Sequence, residues 1–323
     1  MRRTIGIFSL KDDLHALAIQ HALRGDSRTA CHVFETDDFV HEGRLTWSIG
    51  GGAPSDPAAL RDRCGELVEL RTLDLIWWRR AGFPQREHHA LDDASDRALV
   101  DNEWKYALYG ALDNEFRGTW INDPQRNRRA ENKLVQLRAA VDSGLRVPRT
   151  LVSQDPAAVR RFCAESGPRG AIVKAVRGAR RRFLWAVRVD ESRLDDGSIA
   201  LSPAIYQELI PGDVHLRICC FGEEIRTFAL ESAELDWRND LSVPCREFRL
   251  DEESRQRIAD VLRRLGLRMA VMDAKLTPDG ELVWLEANPQ GQFLFVQGMT
   301  GVDLIQPFAS FLAGEADRTR RAA

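Results

Sequence analysis

The stretch Met269–Pro289 constrains the fold more than any other part of this chain. Two runs with the composition of β-strands flank Asp279-Gly280, a dipeptide that favours the two-residue turn of a β-hairpin. If these two residues form the loop, counting outward places Asp273 directly opposite Glu286. Directly opposed residues share a face of the hairpin, and Asn288, two positions further along, shares it too. The pattern therefore predicts three oxygen-bearing side chains on one patch of a sheet.

The rest of this patch is predicted to be apolar, with Val271, Leu282 and Trp284 on the same face. Two carboxylates buried side by side destabilise a fold unless a cation neutralises them. Hard oxygen ligands of this kind suit Mg²⁺, whose coordination is usually completed by water and phosphate oxygens. We therefore interpret the three oxygen-bearing side chains as candidate ligands of a metal that accompanies a nucleotide.

The length and composition of the chain narrow the possible classes of protein. A length of 323 residues indicates two or three domains. The net charge of −3 arises from 46 basic and 49 acidic residues, so no overall field indicates nucleic acid or a membrane as a partner. The six cysteines show no CxxC spacing, and no apolar run reaches membrane-spanning length. We therefore expect a cytoplasmic protein with reduced thiols.

Residues 4–118 alternate between strand and helix patterns, which predicts a mainly parallel open sheet. No GxGxxG motif follows the first strand, so a Rossmann cofactor site is not expected. Pro57–Arg71 is predicted to be a helix and Leu73–Trp78 a buried strand. Arg79 and Arg80 follow at the carboxyl end of that strand, where open sheets often bind ligands. The alternative is that both arginines are simply solvated.

In the second part of the chain, Gln125–Asp142 is predicted to be one helix. Basic residues interrupt the apolar segments that follow it. Lys174 lies in the apolar strand Ala171–Val176, where its ammonium needs a partner unless it reaches solvent from an edge strand. Arg217 lies among the apolar residues of a predicted hairpin and needs an anionic partner for the same reason. The basic turn at 178–182 is expected either to cover phosphates or to form an ordinary hairpin tip.

These pieces, in this order, resemble the ATP-grasp superfamily of carboxylate–amine and carboxylate–hydroxyl ligases. The ordered features span residues 120–312. They are a lysine on a helix (Lys133), a Gly…Pro-x-Thr segment (Gly144 to Thr150) and a lysine on a strand (Lys174). A hinge strand (Gln207–Ile210) and an Asp…Glu-x-Asn set (Asp273, Glu286 and Asn288) follow. The resemblance implies an α/β ATP-grasp fold, in which two α+β subdomains grip ATP. It implies an N-terminal pre-ATP-grasp α/β domain at 1–119, a central subdomain at 120–204 and a C-terminal subdomain carrying the metal site at 205–314. The remaining tail at 315–323 is expected from its own sequence to be disordered.

The resemblance also implies how ATP and Mg²⁺ are held. The phosphates would be contacted by two lysines, Lys133 and Lys174. The adenine would meet the hinge strand at Gln207, Glu208 and Ile210, and the ribose hydroxyls would be held by Asp213. The Mg²⁺ ligands would be Asp273, Glu286 and Asn288.

The implied chemistry is activation of a carboxylate as an acyl phosphate, followed by capture by a hydroxyl or an amine and release of ADP. Arg217 is expected to stabilise the acyl phosphate, and Lys174 to screen charge on the transferring phosphoryl group. No dedicated general base is evident. His215 is interpreted as a packing residue rather than as a proton acceptor.

A narrower resemblance connects the chain to graspetide synthetases, the microviridin-type maturases of ribosomally made peptides. It rests on three segments, Trp120–Lys133, Asp236-Trp237-Arg238 and Asn288–Gln292. It implies ω-ester or ω-amide crosslinks in a precursor peptide with a leader and a core, and a homodimer as a candidate assembly. Phe293 and Phe295 stand where the family pattern has tryptophan, and Gln297 stands where it has an acid, so the identity of the peptide is left open.

Two other functions remain open from the sequence. A RimK-like ligase would add an amino acid to a protein tail or to a small molecule. A catalytically silent regulator would bind ATP without forming ADP. All three predicted metal-ligand positions are filled by suitable residues, which favours an enzyme over the silent regulator.

Overall fold

The computed structural model describes residues 2–50, 57–82, 85–86, 91–177, 185–240 and 242–322. The chain divides into two compact units, Met1–Pro124 together with Asp303–Ala323, and Gln125–Val302. The predicted first boundary, at residue 119, falls close to this division. The prediction differs at the other end, because residues 303–314 were assigned to the C-terminal subdomain and belong instead to the first unit.

The first unit is built on a four-stranded parallel sheet. Its elements in chain order are β1 (Arg3–Ser9), α1 (Leu14–Arg24), β2 (Thr29–Glu35), α2 (Phe39–Glu42), β3 (Ala59–Arg61), β4 (Leu67–Glu69), β5 (Leu75–Trp78), α3 (Ala94–Glu115) and β6 (Thr119–Ile121), with α10 (Ile305–Ala322) at the end of the chain. The strand order is β2-β1-β5-β6. The predicted open parallel sheet is therefore confirmed.

Two predictions for this unit are wrong. Pro57–Arg71 does not form a helix, because β3 and β4 pair as an antiparallel hairpin. The Asp62 carboxylate accepts hydrogen bonds from the backbone nitrogens of Cys64 and Glu66, and this local bonding stabilises a turn in place of a helix. The tail at 315–323, predicted to be disordered, is helical to Ala322 as part of α10.

Arg79, at the carboxyl end of β5, is neither solvated nor presented to an anion from outside the chain. Its side chain is buried, and its Nε atom lies 3.2 Å from the Asp13 carboxylate. Its guanidinium also lies 5.4 Å from the centroid of the Trp77 ring. Burial lowers the pKa of Arg79 to about 10, so the side chain remains charged and is neutralised by Asp13. The described contacts therefore give Arg79 a structural role.

The second unit contains two antiparallel sheets. Its elements in chain order are α4 (Pro124–Ala130), α5 (Lys133–Asp142), β7 (Thr150–Ser153), α6 (Pro156–Ala164), β8 (Ala171–Lys174), β9 (Val187–Arg188), α7 (Asp196–Leu201), β10 (Ala204–Glu208), β11 (Val214–Phe221), β12 (Glu224–Glu231), β13 (Cys245–Phe248), α8 (Glu252–Arg264), β14 (Met269–Leu276), β15 (Leu282–Asn288) and α9 (Leu294–Thr300). The smaller sheet has the order β7-β10-β8-β9 and the larger the order β13-β12-β11-β14-β15.

The smaller sheet corrects the predicted boundary at residues 204 and 205. That boundary separates β10 from the strands before it, whereas β10 pairs with both β7 and β8 at the centre of their sheet. The hinge strand is therefore the last strand of the central subdomain. Its buried residue Tyr206 packs with Val159 and Phe162 of α6.

The larger sheet alternates between a core face and a second face. On β11, the buried side chains of Leu216, Ile218 and Cys220 pack in one cluster with Ile258 and Val261 of α8. The intervening residues of the strand, including His215 and Arg217, consequently point to the opposite face. Among the described residues, no helix combines the length and the apolar composition needed to span a lipid bilayer.

Candidate nucleotide and metal site

The hairpin formed by β14 and β15 sets Asp273 directly opposite Glu286, as predicted. The predicted two-residue loop, however, is wrong. Leu276 pairs with Leu282, and the backbone nitrogen of Thr277 donates to the carbonyl oxygen of Glu281 at 3.0 Å. The connection therefore contains three residues, Pro278-Asp279-Gly280, and Gly280 adopts the φ of +84° that a glycine tolerates.

A bulge in β15 restores the predicted opposition of the two carboxylates. Asp273 pairs with Glu286 and Ala274 pairs with Trp284, so Leu285 is an extra residue on this strand. The extra residue directs Trp284 into the core, where its side chain is fully buried. The prediction that Trp284 shares the face of the carboxylates is therefore wrong. Leu285 and Glu286 instead face the same cavity.

The cavity beside this hairpin has a volume of about 400 Å³ and lies within the second unit. It brings together most of the residues that the sequence predicted. Those lining it are Lys133, Lys174, Gln207, Glu208, Ile210, Asp273 and Glu286. Asp213, Arg217 and Asn288 are not among the described residues that line it, so their predicted roles stay predictions.

The break between α4 and α5 positions Lys133, and a single helix over 125–142 is not formed. The Asn132 side chain accepts hydrogen bonds from the backbone nitrogens of Leu134 and Val135, which caps α5 at Lys133. The Lys133 ammonium forms an ion pair with the Glu286 carboxylate. The start of the helix therefore places a positive charge beside Glu286 at the cavity.

The charges at this end of the cavity are strongly coupled. Burial alone would raise the pKa of Glu286, but the positive charges of Lys133 and Lys174 hold it at about 2. Burial and the charge of Lys133 lower the pKa of Lys174 to about 8. Burial raises the pKa of Asp273, and the negative charge of Glu286 also acts to raise it. The positive charge of Arg217 acts to lower it. A divalent cation between the two carboxylates would relieve this repulsion.

Arg217 lies behind Asp273 and holds its carboxylate. Its Nη1 atom donates to both carboxylate oxygens of Asp273, at 2.8 and 2.9 Å, and its Nη2 atom donates to the carbonyl oxygen of Gln292 at 2.8 Å. Its guanidinium also lies 5.6 Å from the centroid of the Phe295 ring. These contacts fix the orientation of a candidate metal ligand and of the segment that follows β15.

The hinge strand closes the other end of the cavity. The Gln207 amide donates to the Thr150 hydroxyl at 2.8 Å, and the carbonyl oxygen of Ile210 accepts a hydrogen bond from the Lys275 ammonium at 3.2 Å. The basic turn predicted at 178–182 lies outside the described residues. The cavity therefore runs from a polar, charged end to a hinge that offers backbone groups.

Sequence reasoning missed several residues that line the cavity. Lys275 was not singled out, and His215 was interpreted only as packing. Both line the cavity, and they are cross-strand partners on the same sheet face as Asp273 and Arg217. Strict alternation along β11 and β14 would have identified both, because each lies two positions from a predicted site residue.

A wall of aromatic and basic side chains forms another part of this site. Trp237 stacks on Phe295 with 5.4 Å between the ring centroids, and Arg238 lies 5.0 Å from the centroid of the Trp185 ring. The Arg238 guanidinium also forms a two-point ion pair with Asp236, with distances of 2.7 and 2.5 Å. Of the side chains Trp185, Trp237, Arg238 and Phe295, the first three line the cavity.

Known structures share this architecture over almost the entire chain. The macrocyclase MdnC bound with precursor peptide MdnA, from Microcystis aeruginosa MRC, superposes with a TM-score of 0.84 at 24% identity, covering 96% of this chain and 99% of that one. A RiPP-associated ATP-grasp ligase from Chryseobacterium gregarium, in complex with ADP and a leader and core peptide, gives 0.83 at 20% identity, covering 100% and 98%. The ATP-grasp ligase PsnB, complexed with a phosphomimetic variant of its minimal precursor, Mg and ADP, gives 0.75 at 24%, covering 98% and 99%.

No protein-family model matches the sequence, and no curated protein sequence is significantly similar to it. The structural similarity nevertheless extends over both units and nearly the full length of each compared chain. The chain therefore has the ATP-grasp fold, and the predicted fold class is confirmed.

Proposed function

We propose that this chain is an ATP- and Mg²⁺-dependent ligase that forms ω-ester or ω-amide crosslinks in a ribosomally made precursor peptide. The observation that carries the proposal is the pairing of Asp273 with Glu286 at one end of a cavity that the hinge strand closes at the other. Lys133 pairs with Glu286 at the carboxylate end, and Lys174 adds a second positive charge near it. This arrangement suits a triphosphate with its metal at one end and its base at the other.

The donor set at the hairpin fits Mg²⁺. Asp273 and Glu286 offer carboxylate oxygens, which are the ligands that this ion prefers, and Asn288 follows on the same strand. When bound, Mg²⁺ would screen the negative charge of the phosphate oxygens. Burial and the charge of Glu286 raise the pKa of Asp273, and a divalent cation beside it would act in the opposite direction.

The residues of the chain support transfer of a phosphoryl group to a substrate carboxylate. A carboxylate oxygen of the substrate would attack the γ-phosphorus of ATP, the bond to the β–γ bridging oxygen would break, and ADP would leave. Lys174, half-buried at the cavity, would neutralise charge on the transferring group. Arg217 would hold Asp273 in place. A hydroxyl or amine would then attack the acyl carbon and expel phosphate, and its proton would pass to solvent.

A precursor peptide is the substrate that we propose. MdnC was solved with a precursor peptide, and the Chryseobacterium gregarium ligase with a leader and a core peptide. In this chain, the wall formed by Trp185, Trp237 and Arg238 offers aromatic surface and a cation to acidic side chains of such a peptide. We propose a cytoplasmic reaction because ATP is consumed and all six cysteines are free. The homodimer stays a prediction.

Mass spectrometry tests this function directly. The purified protein would be incubated with ATP, Mg²⁺ and a candidate precursor peptide that carries Asp or Glu together with Thr, Ser or Lys side chains, and ADP would be measured in parallel. We expect the peptide to lose the mass of one water for each bond formed. One ADP should form for each of these bonds. A gain in mass would instead support a ligase that adds an amino acid, and ATP binding with no ADP under any substrate would support a silent regulator.

A further inference from the structure

Three side chains of the first unit bring metal-ligand atoms close together. His32 lies on β2, and Asp62 and Glu66 flank the turn that joins β3 to β4. One nitrogen of the His32 ring and one oxygen of each carboxylate all lie within 4.8 Å of one another. These residues are not among those that line the nucleotide cavity, which lies in the second unit. The group is therefore separate from the site of the proposed function.

The turn between β3 and β4 is held against β2 by the backbone. The backbone nitrogen of Asp62 donates to the carbonyl oxygen of Glu66 at 2.8 Å, which closes the turn. The backbone nitrogen of Arg63 donates to the carbonyl oxygen of Val33 at 2.8 Å. Because Val33 follows His32 on β2, an edge strand of its sheet, this hydrogen bond places the turn beside the His32 side chain.

The carboxylate of Asp62, which is 4% exposed, is oriented toward the His32 ring. Its Oδ1 atom accepts hydrogen bonds from the backbone nitrogens of Cys64 and Glu66 at 2.8 and 3.0 Å, and its Oδ2 atom lies 3.0 Å from His32 Nδ1. The Oε2 atom of Glu66 lies 3.7 Å from the same ring nitrogen. Among the described residues, no lysine or arginine forms an ion pair with either carboxylate. Two carboxylates therefore converge on one ring nitrogen.

The separations between these atoms suit a zinc ion. Zinc binds imidazole nitrogen and carboxylate oxygen at about 2.0–2.2 Å, so neighbouring ligand atoms of a tetrahedral site lie about 3.4 Å apart. The separations of the two carboxylate oxygens from His32 Nδ1, 3.0 and 3.7 Å, lie on either side of this value. A divalent ion would also neutralise the buried carboxylate of Asp62. The imidazole favours zinc over Mg²⁺, which prefers oxygen ligands.

We propose that His32, Asp62 and Glu66 bind one zinc ion, with a water molecule as the fourth ligand. The ion would enter from the side of Glu66, whose side chain is 66% exposed, and this side chain would close over it. The bound ion would connect β2 to the turn between β3 and β4. Since the unfolded chain does not hold these three ligands together, zinc would stabilise the folded state.

A zinc titration of the whole chain, stripped of metal and without an affinity tag, tests this proposal. The protein would compete with a chromophoric chelator for zinc, without nucleotide and in excess Mg²⁺, which fills sites built from oxygen ligands. We expect one equivalent of tightly bound zinc and an unfolding temperature that rises with zinc concentration. Glu66→Gln should weaken zinc binding by about tenfold or more, because the amide removes a charged ligand. His32→Gln should weaken it further.

Three variants control for other ligands of zinc, and all three should keep the tightly bound equivalent. Glu69→Gln removes a carboxylate of the same hairpin, one that pairs with Arg71. Cys64→Ser removes the thiol within the turn, whose Sγ atom lies 3.6 Å from a guanidinium nitrogen of Arg24. Glu286→Gln removes a carboxylate of the nucleotide cavity.

The proposal is wrong if the unmodified protein does not compete with the chelator, or if Glu66→Gln binds zinc as tightly as the unmodified protein does. The contact between His32 and Asp62 is then a hydrogen bond and nothing more. Loss of the tightly bound zinc in any of the three control variants would place the metal elsewhere and also overturn the proposal. If His32→Gln does not fold, Glu66→Gln decides, because its side chain is exposed. No nucleotide is present, so these results do not bear on the proposed ligase activity.

Discussion

The Arg217 guanidinium is bonded through one nitrogen to both carboxylate oxygens of Asp273, at 2.8 and 2.9 Å, and through another to the carbonyl oxygen of Gln292. Glu286, on the neighbouring strand, forms an ion pair with Lys133 at the start of α5. Each of the two opposed carboxylates therefore has its own cation from the chain. These two pairs hold the proposed metal ligands in position before a metal or nucleotide binds.

Replacing Arg217 by lysine is expected to lower the rate of ADP formation by about 100-fold. A single ammonium cannot reach both Asp273 oxygens and the Gln292 carbonyl, so Asp273 loses its fixed orientation. The Mg²⁺ concentration that gives half of the maximal rate should rise as well. Arg226→Lys is the matched control, because the partners of Arg226 among the described residues are Glu224 and Glu247 near the surface. Similar rates for the two variants would contradict this role of Arg217.

Glu286→Gln is expected to reduce ADP formation by at least ~100-fold while leaving the protein folded. The amide keeps the shape of the side chain but removes the negative charge that the proposed Mg²⁺ needs. The control is Glu281→Gln on the same hairpin, where the carboxylate is half exposed and paired with Arg146. A steady-state ADP assay with circular dichroism of both variants checks the prediction. Turnover of Glu286→Gln at the level of the control would rule out the metal assignment.

The affinity for ATP is expected to fall as the pH rises from about 7 to about 9. Lys174 has a pKa of about 8, lowered by burial from its usual 10.5, so its ammonium loses the proton within this range. The loss removes a positive charge from the phosphate end of the cavity. Lys174→Arg keeps its charge throughout the range, so its affinity should change much less. Parallel pH profiles for the two proteins would show that Lys174 does not meet the phosphates.

The same titration changes stability in the opposite direction. Between about pH 8 and 10.5 the unfolded chain retains the proton of Lys174 and the folded chain does not. The unfolded state then binds more protons, and stability contributed by this residue rises with pH. In Lys174→Met the contribution is absent. Denaturant unfolding of both proteins across this range, without nucleotide, should therefore show a steeper rise for the unmodified protein, and equal slopes would contradict the lowered pKa.

Gly212→Ala is expected to lower the free energy of unfolding by about 2 kcal/mol or more. Gly212 joins the hinge to β11 with a φ of +101°, and a Cβ atom there would lie 2.4 Å from the carbonyl oxygen of Leu276. The control is Gly298→Ala in α9, where an added Cβ meets nothing within 4 Å. The control should be neutral or slightly stabilising. Equal stabilities in thermal or denaturant unfolding would disprove the close approach at Gly212.

Much of the site followed from local sequence patterns. The strands of the final hairpin were predicted from their composition and from the Asp279-Gly280 turn signal, and both strands form. The opposition of Asp273 and Glu286 was predicted from an assumed two-residue loop. The loop has three residues and β15 has one extra residue at Leu285, so the two differences cancel. The predicted pair was therefore correct although the path between its members was not.

The sequence by itself determined the chemical types at the site, the order of its elements and the strands of the final hairpin, because turn and alternation preferences act between residues close in the chain. Only the tertiary structure decided that Leu285 is bulged, that Trp284 enters the core, and that His215 and Lys275 face the cavity. These features depend on which strands pair and how the helices pack on them. That packing involves residues far apart in the chain, and local preferences do not encode it.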